Sequence, residues 1–191
     1  MADAVGLDFG QTECRLAYYA NGQPIALSQA TRLSEVWLSD QIRVPTAKER
    51  AEKEVMSLQD IALDLKPRLG TTRPIQLGRR RFSSVELTTY VMRAVREHSE
   101  KHIGQPLRRA MVVVPSYAND PQRVATRIAA QAAGFTEAKL ISETLAAAIA
   151  AHNASGDEGW YLVYHLGAGP FEASIIQVEG QRYTVAGVVG E

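Results

Sequence analysis

One plan of strands and turns occurs twice along the chain, and this repeat constrains the fold more than any other feature. Near the start, the apolar run Ala4-Val5-Gly6-Leu7-Asp8-Phe9 ends in a turn, Gly10-Gln11-Thr12. Cys14 to Tyr19 and Pro24 to Leu27 then flank Asn21-Gly22, the dipeptide best suited to a two-residue hairpin. Near the end, Trp160 to Leu166 reads as a strand, Gly167-Ala168-Gly169 as a turn, Phe171 to Val178 as a strand, Glu179-Gly180 as a turn and Arg182 to Val189 as a strand. Helices and strands alternate between these two β-meanders. The order β-meander, αβαβα, β-meander points to the α/β class, with a second half that begins the plan of the first.

The middle is punctuated by recognisable helix signals. Ser83-Ser84-Val85-Glu86 fits a capping box, and Leu87, Val91, Val95 and His98 follow at four-residue spacing, so a helix is expected to about His102. Ala110 to Val114 reads as a buried strand stopped by Pro115. Asn119-Asp120-Pro121 supplies an N-cap and a proline at the first helical position. Val124, Ile128 and Ala132 are expected to form the apolar face of that helix, which Gly134 ends. Ala138 to Ile141 reads as a strand, and Ser142 opens a helix to about His152. Residues 30–82 read as an insertion, with short polar helices expected at Thr46 to Glu54 and Leu58 to Leu65, followed by the breakers Pro67, Gly70, Pro74 and Gly78.

Composition removes several classes of function. In 191 residues, 46% are hydrophobic and 22% charged, which is ordinary for a globular protein. The 21 basic and 21 acidic side chains cancel, so no global field favours nucleic acid or an anionic membrane. Lys66, Arg68, Arg73, Arg79, Arg80 and Arg81 form an acid-free basic stretch, but without interleaved aromatic residues to stack bases it reads as a solvated face. The single cysteine, Cys14, excludes an internal disulfide and a cysteine-built metal site. No apolar run approaches the roughly 18 residues of a membrane span, and Met1-Ala2-Asp3-Ala4 does not resemble a secretory signal. A cytoplasmic protein is expected. His98 and His102 lie four apart on a helix with no third ligand nearby in sequence, and read as a solvated or half-buried pair.

The two glycine turns carry the chemistry. A strand that ends in an acid before a tight turn brings backbone N–H groups and a carboxylate to one point. The N–H groups suit phosphate oxygens, and the carboxylate suits hydrated Mg²⁺. Asp8-Phe9-Gly10-Gln11-Thr12 has both elements. His165-Leu166-Gly167-Ala168-Gly169-Pro170 has the glycines, with a histidine in place of the acid.

Taken in order, these segments resemble a known family. Val5-Gly6-Leu7-Asp8-Phe9-Gly10-Gln11-Thr12 is similar to the first phosphate loop of the actin-like ATPases. Val113-Val114-Pro115-Ser116-Tyr117-Ala118-Asn119-Asp120-Pro121-Gln122-Arg123, with Thr126, Ala133 and Gly134 beyond it, resembles the 70-kDa heat-shock chaperones in particular. Ile141-Ser142-Glu143-Thr144 with Ala146-Ala147-Ala148 resembles the helix start that follows in that family, and Tyr164 to Glu172 resembles its second phosphate loop in altered form. The resemblance implies a ribonuclease-H-like, actin-like ATPase fold: a complete first lobe over residues 1–155 with a subdomain inserted at about 30–82, and at 156–191 the first three strands of a second lobe.

The resemblance also implies roles. Asp8 would hold Mg²⁺ through water, and Gly10, Gln11 and Thr12 would cradle the phosphates of ATP or ADP, with Gly167, Ala168 and Gly169 as the second cradle. Lys66 falls where the family keeps a lysine near the γ-phosphate, and Glu143 matches an acid that orders the metal or the attacking water. Pro115 and Arg123 match residues that relay nucleotide state to a surface for a cochaperone or client. Each position also has a plainer reading: Lys66 as one more surface base, Glu143 as a favourable charge at a helix start, Pro115 as a strand terminator.

Three departures bear on activity. His165 replaces the family's aspartate, and an imidazole does not hold the water shell of Mg²⁺ as a carboxylate does. Gln11 stands for a threonine, and Pro170 stands for threonine or serine, which removes a backbone donor. The third is length, because the family's nucleotide lies between two lobes. The expected function is therefore an ATP-binding lobe of a heat-shock-70-like ATPase with weak or no hydrolysis by itself. Rivals are a degenerate interaction module and a sugar or acetate kinase of the same superfold. Apolar residues on both faces of strands 160–189 predict an exposed face that pairs with a second lobe or a second copy.

Overall fold

The computed structural model of the chain describes residues 4–52 and 57–190. The chain divides into two compact units: residues up to Val112 together with Asp120–Lys139, and Val113–Asn119 together with Leu140–Glu191.

The first unit is built on one sheet. Its first strand, β1 (Val5–Phe9), alternates buried and exposed residues, so Val5, Leu7 and Phe9 enter the core while Asp8 stays outside. It pairs antiparallel with β2 (Glu13–Ala20), which pairs with β3 (Gln23–Ala26). Asn21 and Gly22 both have positive φ, 53° and 77°, as the two-residue hairpin turn expected there requires. A short strand, β4 (Arg32–Leu33), joins β2 on the same edge.

The insertion that follows consists of small sheets. β5 (Val36–Leu38) pairs with β6 (Ile42–Arg43); α1 (Ala47–Glu52) comes next, and β7 (Ile61–Ala62) returns to pair with β5. The helix expected over Thr46 to Glu54 is thus present to Glu52, and its last two residues lie outside those described. The helix expected over Leu58 to Leu65 does not form. Ser57 caps one 3₁₀ turn at Leu58–Asp60, and Ile61 and Ala62 are extended and buried against Val36 and Trp37. Pairing with β5 outweighs the weak helical preference of so short a run. The single-turn helix α2 (Leu65–Arg68) and the hairpin β8 (Ile75–Leu77) and β9 (Arg80–Phe82) complete the insertion.

The capping box at Ser83 is present in full, with the Ser83 hydroxyl accepting from Glu86 N–H and the Glu86 carboxylate accepting from Ser83 N–H, and α3 (Ser84–Ile103) follows. Leu87, Val91, Met92 and Val95 are fully buried. β10 (Arg109–Val114), α4 (Asp120–Ala132) and β11 (Glu137–Ser142) come next, and the sheet order is β11-β10-β1-β2-β3. In α4 the expected face is reversed. Val124 and Ile128 are half-exposed and Ala132 is exposed, whereas Ala125, Ala129, Ala130 and Ala133 are buried. The small residues let α3 approach closely enough for Arg93 to donate to the Ala132 carbonyl (2.9 Å) and Arg96 to the Ala133 carbonyl (2.7 Å).

The second unit holds α5 (Glu143–Ser155), started by Ser142 as its N-cap, and an antiparallel sheet of β12 (Gly159–His165), β13 (Glu172–Glu179) and β14 (Arg182–Gly190). The three strands expected there are present. One face of the sheet buries Ile176 and Val178 against Ala148 and Leu145 of α5. On the other face Trp160, Leu162, Tyr164, Ile175 and Val189 remain largely exposed. Among the described residues no helix is long and apolar enough to cross a membrane.

Candidate functional site

In the first unit the turn after β1 is closed by its own backbone. Gly10 N–H donates to the Glu13 carbonyl (2.9 Å), and Ser34 tethers both ends, its hydroxyl to Gly10 O and its N–H to Thr12 O (2.8 Å each). A Cβ on Gly10 would lie 2.8 Å from the Glu13 carbonyl oxygen, so only glycine fits this turn without displacement. The Gln11 amide reaches Asp64 Oδ1 at 3.4 Å. Asp64 adopts a left-handed conformation (φ 53°) and opens α2, which carries Lys66 while Leu65 anchors it in the core. The thiol of Cys14, buried on the strand paired with β1, feels the charges of both Asp8 and Lys66. Burial pushes that thiol far up, the Asp8 carboxylate adds to the rise and the Lys66 ammonium opposes it. The Gln11–Asp64 contact brings the helix that carries Lys66 up to the first turn. The Gly10 N–H itself is committed to the turn.

In the second unit, β12 ends at His165 and α5 begins at Glu143, and the two meet. His165 Nδ1 lies 2.7 Å from Glu143 Oε2. A Cβ at Gly167 would come within 2.9 Å of His165 Nε2, so the glycine leaves the room that the imidazole occupies over the turn. Behind this pair sits Glu172, 1% exposed, with Oε2 accepting from Ser116 N–H (2.7 Å) and Oε1 buried without a hydrogen-bond partner. An unsatisfied buried acceptor costs about 1–3 kcal/mol, and more when it is charged. A line of hydroxyls, the half-buried Ser116 and the buried Thr144 and Ser174, with 2.7 Å contacts, continues from Ser116. Burial, Glu172 and Glu143, in that order, hold the Tyr117 phenol above its usual range.

Glu172, Ser116, Thr144, Ser174 and Tyr117 were not singled out from sequence. The signal for Glu172 lay in the period-2 pattern of β13, in which Glu172, Ser174, Ile176 and Val178 share one face. Gly167, Ala168 and Gly169 form the exposed turn beside His165. Pro115 accepts from Ala118 N–H at 3.0 Å, and Arg123 lies in the first turns of α4. Of the pair expected on α3, His98 receives a hydrogen bond from Arg32 at Nδ1 (3.0 Å), and burial followed by the Arg32 charge lowers its pKa.

Comparison with known proteins decides the family. The family model described as Hsp70 protein matches residues 49–191. This chain belongs to the Hsp70 family. The chaperone protein DnaK of Mycoplasma mycoides subsp. mycoides is 31% identical over 97% of the chain and 32% of its own length. The DnaK proteins of Mycoplasmopsis pulmonis and Metamycoplasma hominis are 27% and 26% identical over 98% of the chain, again across 32% of their own lengths. The chain thus spans about a third of the length of these relatives. The actin-like ATPase fold expected from the resemblance is that of the Hsp70 family, and the mixed α/β architecture agrees with it.

The donor sets at the two turns of this Hsp70 chain differ in what they fit. The exposed carboxylate of Asp8 suits hydrated Mg²⁺, and the turn that follows it suits phosphate. An imidazole with two carboxylates at the second turn does not suit Mg²⁺, which favours oxygen ligands and keeps much of its water.

Proposed function

We propose that this chain is an ATP-binding lobe of an Hsp70-type chaperone ATPase that holds nucleotide phosphates at the first turn and, by itself, hydrolyses ATP weakly or not at all. The tight Gly10 turn beside the exposed Asp8, tied by the Gln11–Asp64 hydrogen bond to the helix that carries Lys66, supports this reading. Phosphoryl transfer is mostly positioning and charge neutralisation, and an acid and a base at one turn supply the start of both. Mg²⁺, when bound with the nucleotide, would neutralise phosphate charge. Asp8 would orient its water shell and Lys66 would draw the terminal phosphate toward the Gly10-Gln11-Thr12 turn. Glu143 would order the metal or the attacking water, and Pro115 and Arg123 would pass the nucleotide state to a surface for cochaperone or client. The proposed compartment is the cytoplasm.

Affinity should be low, because the resemblance places the adenine end of the pocket in a part of the relatives that this chain does not span. Calorimetry with Mg²⁺ and ATP tests the reading. A Kd of about 0.1 mM or weaker is expected, lost on Asp8→Ala or Lys66→Ala. Sub-micromolar binding, or binding indifferent to both variants, would overturn it.

One observation favours a second reading, that of a protein-interaction module. The face of the second sheet bearing Trp160, Leu162, Tyr164, Ile175 and Val189 is apolar and exposed, and such faces seek partners. A second lobe or a second copy of the chain packed on strands 160–189 would cover it. A monodisperse monomer at high concentration in light scattering would count against this reading.

A further inference from the structure

We propose that Glu143, His165 and Glu172 form a direct binding site for a borderline-soft transition-metal dication of the Zn²⁺ type, independent of nucleotide. The three side chains come from the start of α5, the end of β12 and the start of β13, and each places one ligand atom within 4.8 Å of the others. Their burial is graded. Glu172 is fully buried, the Glu143 side chain is 12% exposed and the His165 side chain 53%, so the cluster is a pit with an acid at its floor and an imidazole at its rim.

A second observation points to a missing ligand. Glu172 Oε1 is buried without a hydrogen-bond partner although Oε2 is held by the Ser116 N–H. Buried carboxylate oxygens are ordinarily hydrogen-bonded or bound to a cation. A dication at the cluster would supply the partner, and two carboxylates would cancel its charge. The Ser116 N–H holds the second oxygen of Glu172, as outer-sphere donors hold metal-ligating carboxylates.

The donor set selects the metal. One nitrogen and two carboxylate oxygens match the three-ligand sites of Zn²⁺, whereas imidazole is a poor ligand for Mg²⁺. The His165 Nδ1 to Glu143 Oε2 distance of 2.7 Å is that of a hydrogen bond. A metal bound between these atoms at about 2.0–2.2 Å to each would open it to roughly 3.3 Å. The metal would take the Nδ1 position now turned to Glu143, and the ring N–H would then lie on Nε2. The open rim leaves a fourth position for water or a phosphate oxygen.

The test uses the whole chain without nucleotide, so its failure leaves the ATP reading standing, and failure of the ATP reading leaves this one standing. Calorimetry with Zn²⁺ should show one site of micromolar or tighter Kd, with Mg²⁺ at least about a hundredfold weaker. Co²⁺ should give the intense visible absorption of low-coordinate cobalt. His165→Ala should weaken Zn²⁺ at least about a hundredfold, and Glu172→Gln, which keeps an acceptor for Ser116, at least about tenfold. Thermal unfolding of each metal-free variant reports that it folds. The double variant His98→Ala/His102→Ala should bind Zn²⁺ as the parent does. Equal affinity for Mg²⁺ and Zn²⁺, undiminished Zn²⁺ binding by His165→Ala, or loss of binding in the His98/His102 variant would each overturn the proposal.

Discussion

The two glycine turns share a plan and differ in every donor that matters. At the first, an exposed Asp8 stands beside a tight turn, and the Gln11–Asp64 hydrogen bond ties that turn to the helix bearing Lys66. At the second, the strand ends in His165, already joined to Glu143, and the next strand begins with a buried acid. The backbone of strand, turn and strand is therefore a neutral platform. The side chain ending the first strand, and the group facing it, decide whether the platform presents oxygen donors for hydrated Mg²⁺ or a mixed set for a softer ion.

The largest expected effect concerns how the first turn acquires its lysine. Gly70, two residues beyond α2, has φ 80°, and a Cβ there would lie 2.7–3.0 Å from the backbone of Pro121 and Gln122. Gly70→Val adds both strain and overlap with main chain. It should cost about 3 kcal/mol or more in urea unfolding and abolish whatever Lys66 contributes to ATP binding. A neutral substitution would mean that Lys66 is placed by α2 alone.

Next in size is an exchange of donors. His165→Asp gives the second turn the acid of the first, and should weaken Zn²⁺ by about a hundredfold while strengthening Mg²⁺, as read by calorimetry. If the preference does not move, the residue ending the strand is not what separates the two turns. Thr144→Val, which removes the central hydroxyl between Ser116 and Ser174, should cost about 1–2 kcal/mol in denaturant unfolding, because the buried Ser174 hydroxyl loses this contact and the half-buried Ser116 hydroxyl loses one of its own. Thr144→Ser should restore most of it.

The smallest effect separates two helix starts. Ser83 and Ser142 both cap helices, but only Ser83 has an acid three residues on to close the box, while Glu143 turns to His165. Ser83→Ala should cost about 1 kcal/mol, more than Ser142→Ala. The Ser83 N–H first, then its hydroxyl, hold Glu86 below the usual carboxylate range. Because the folded value is the lower one, this stabilisation is present above the ordinary glutamate range and is lost as pH falls through the lowered value. Acid titration of stability in Ser83→Ala should show that component reduced.

What the sequence determined by itself was local. The Asn21-Gly22 hairpin, the box at Ser83, the Ser142 cap and the three strands after Gly159 each depend on groups within a few residues, so the pattern carries the physics. The placement of Asp8 outside the core was also legible, since strand alternation puts it opposite Leu7 and Phe9. Tertiary structure decided the rest. Ile61 and Ala62 are a strand because β5 is there to pair with them. The alanine face of α4 is buried, although Val124 and Ile128 are larger, because only small side chains let the arginines of α3 reach the carbonyls at its end. Glu172 is buried and faces Glu143 and His165 through a meeting of segments up to 29 residues apart. Burial and long-range proximity depend on what the rest of the chain brings alongside, and no short window of sequence contains that.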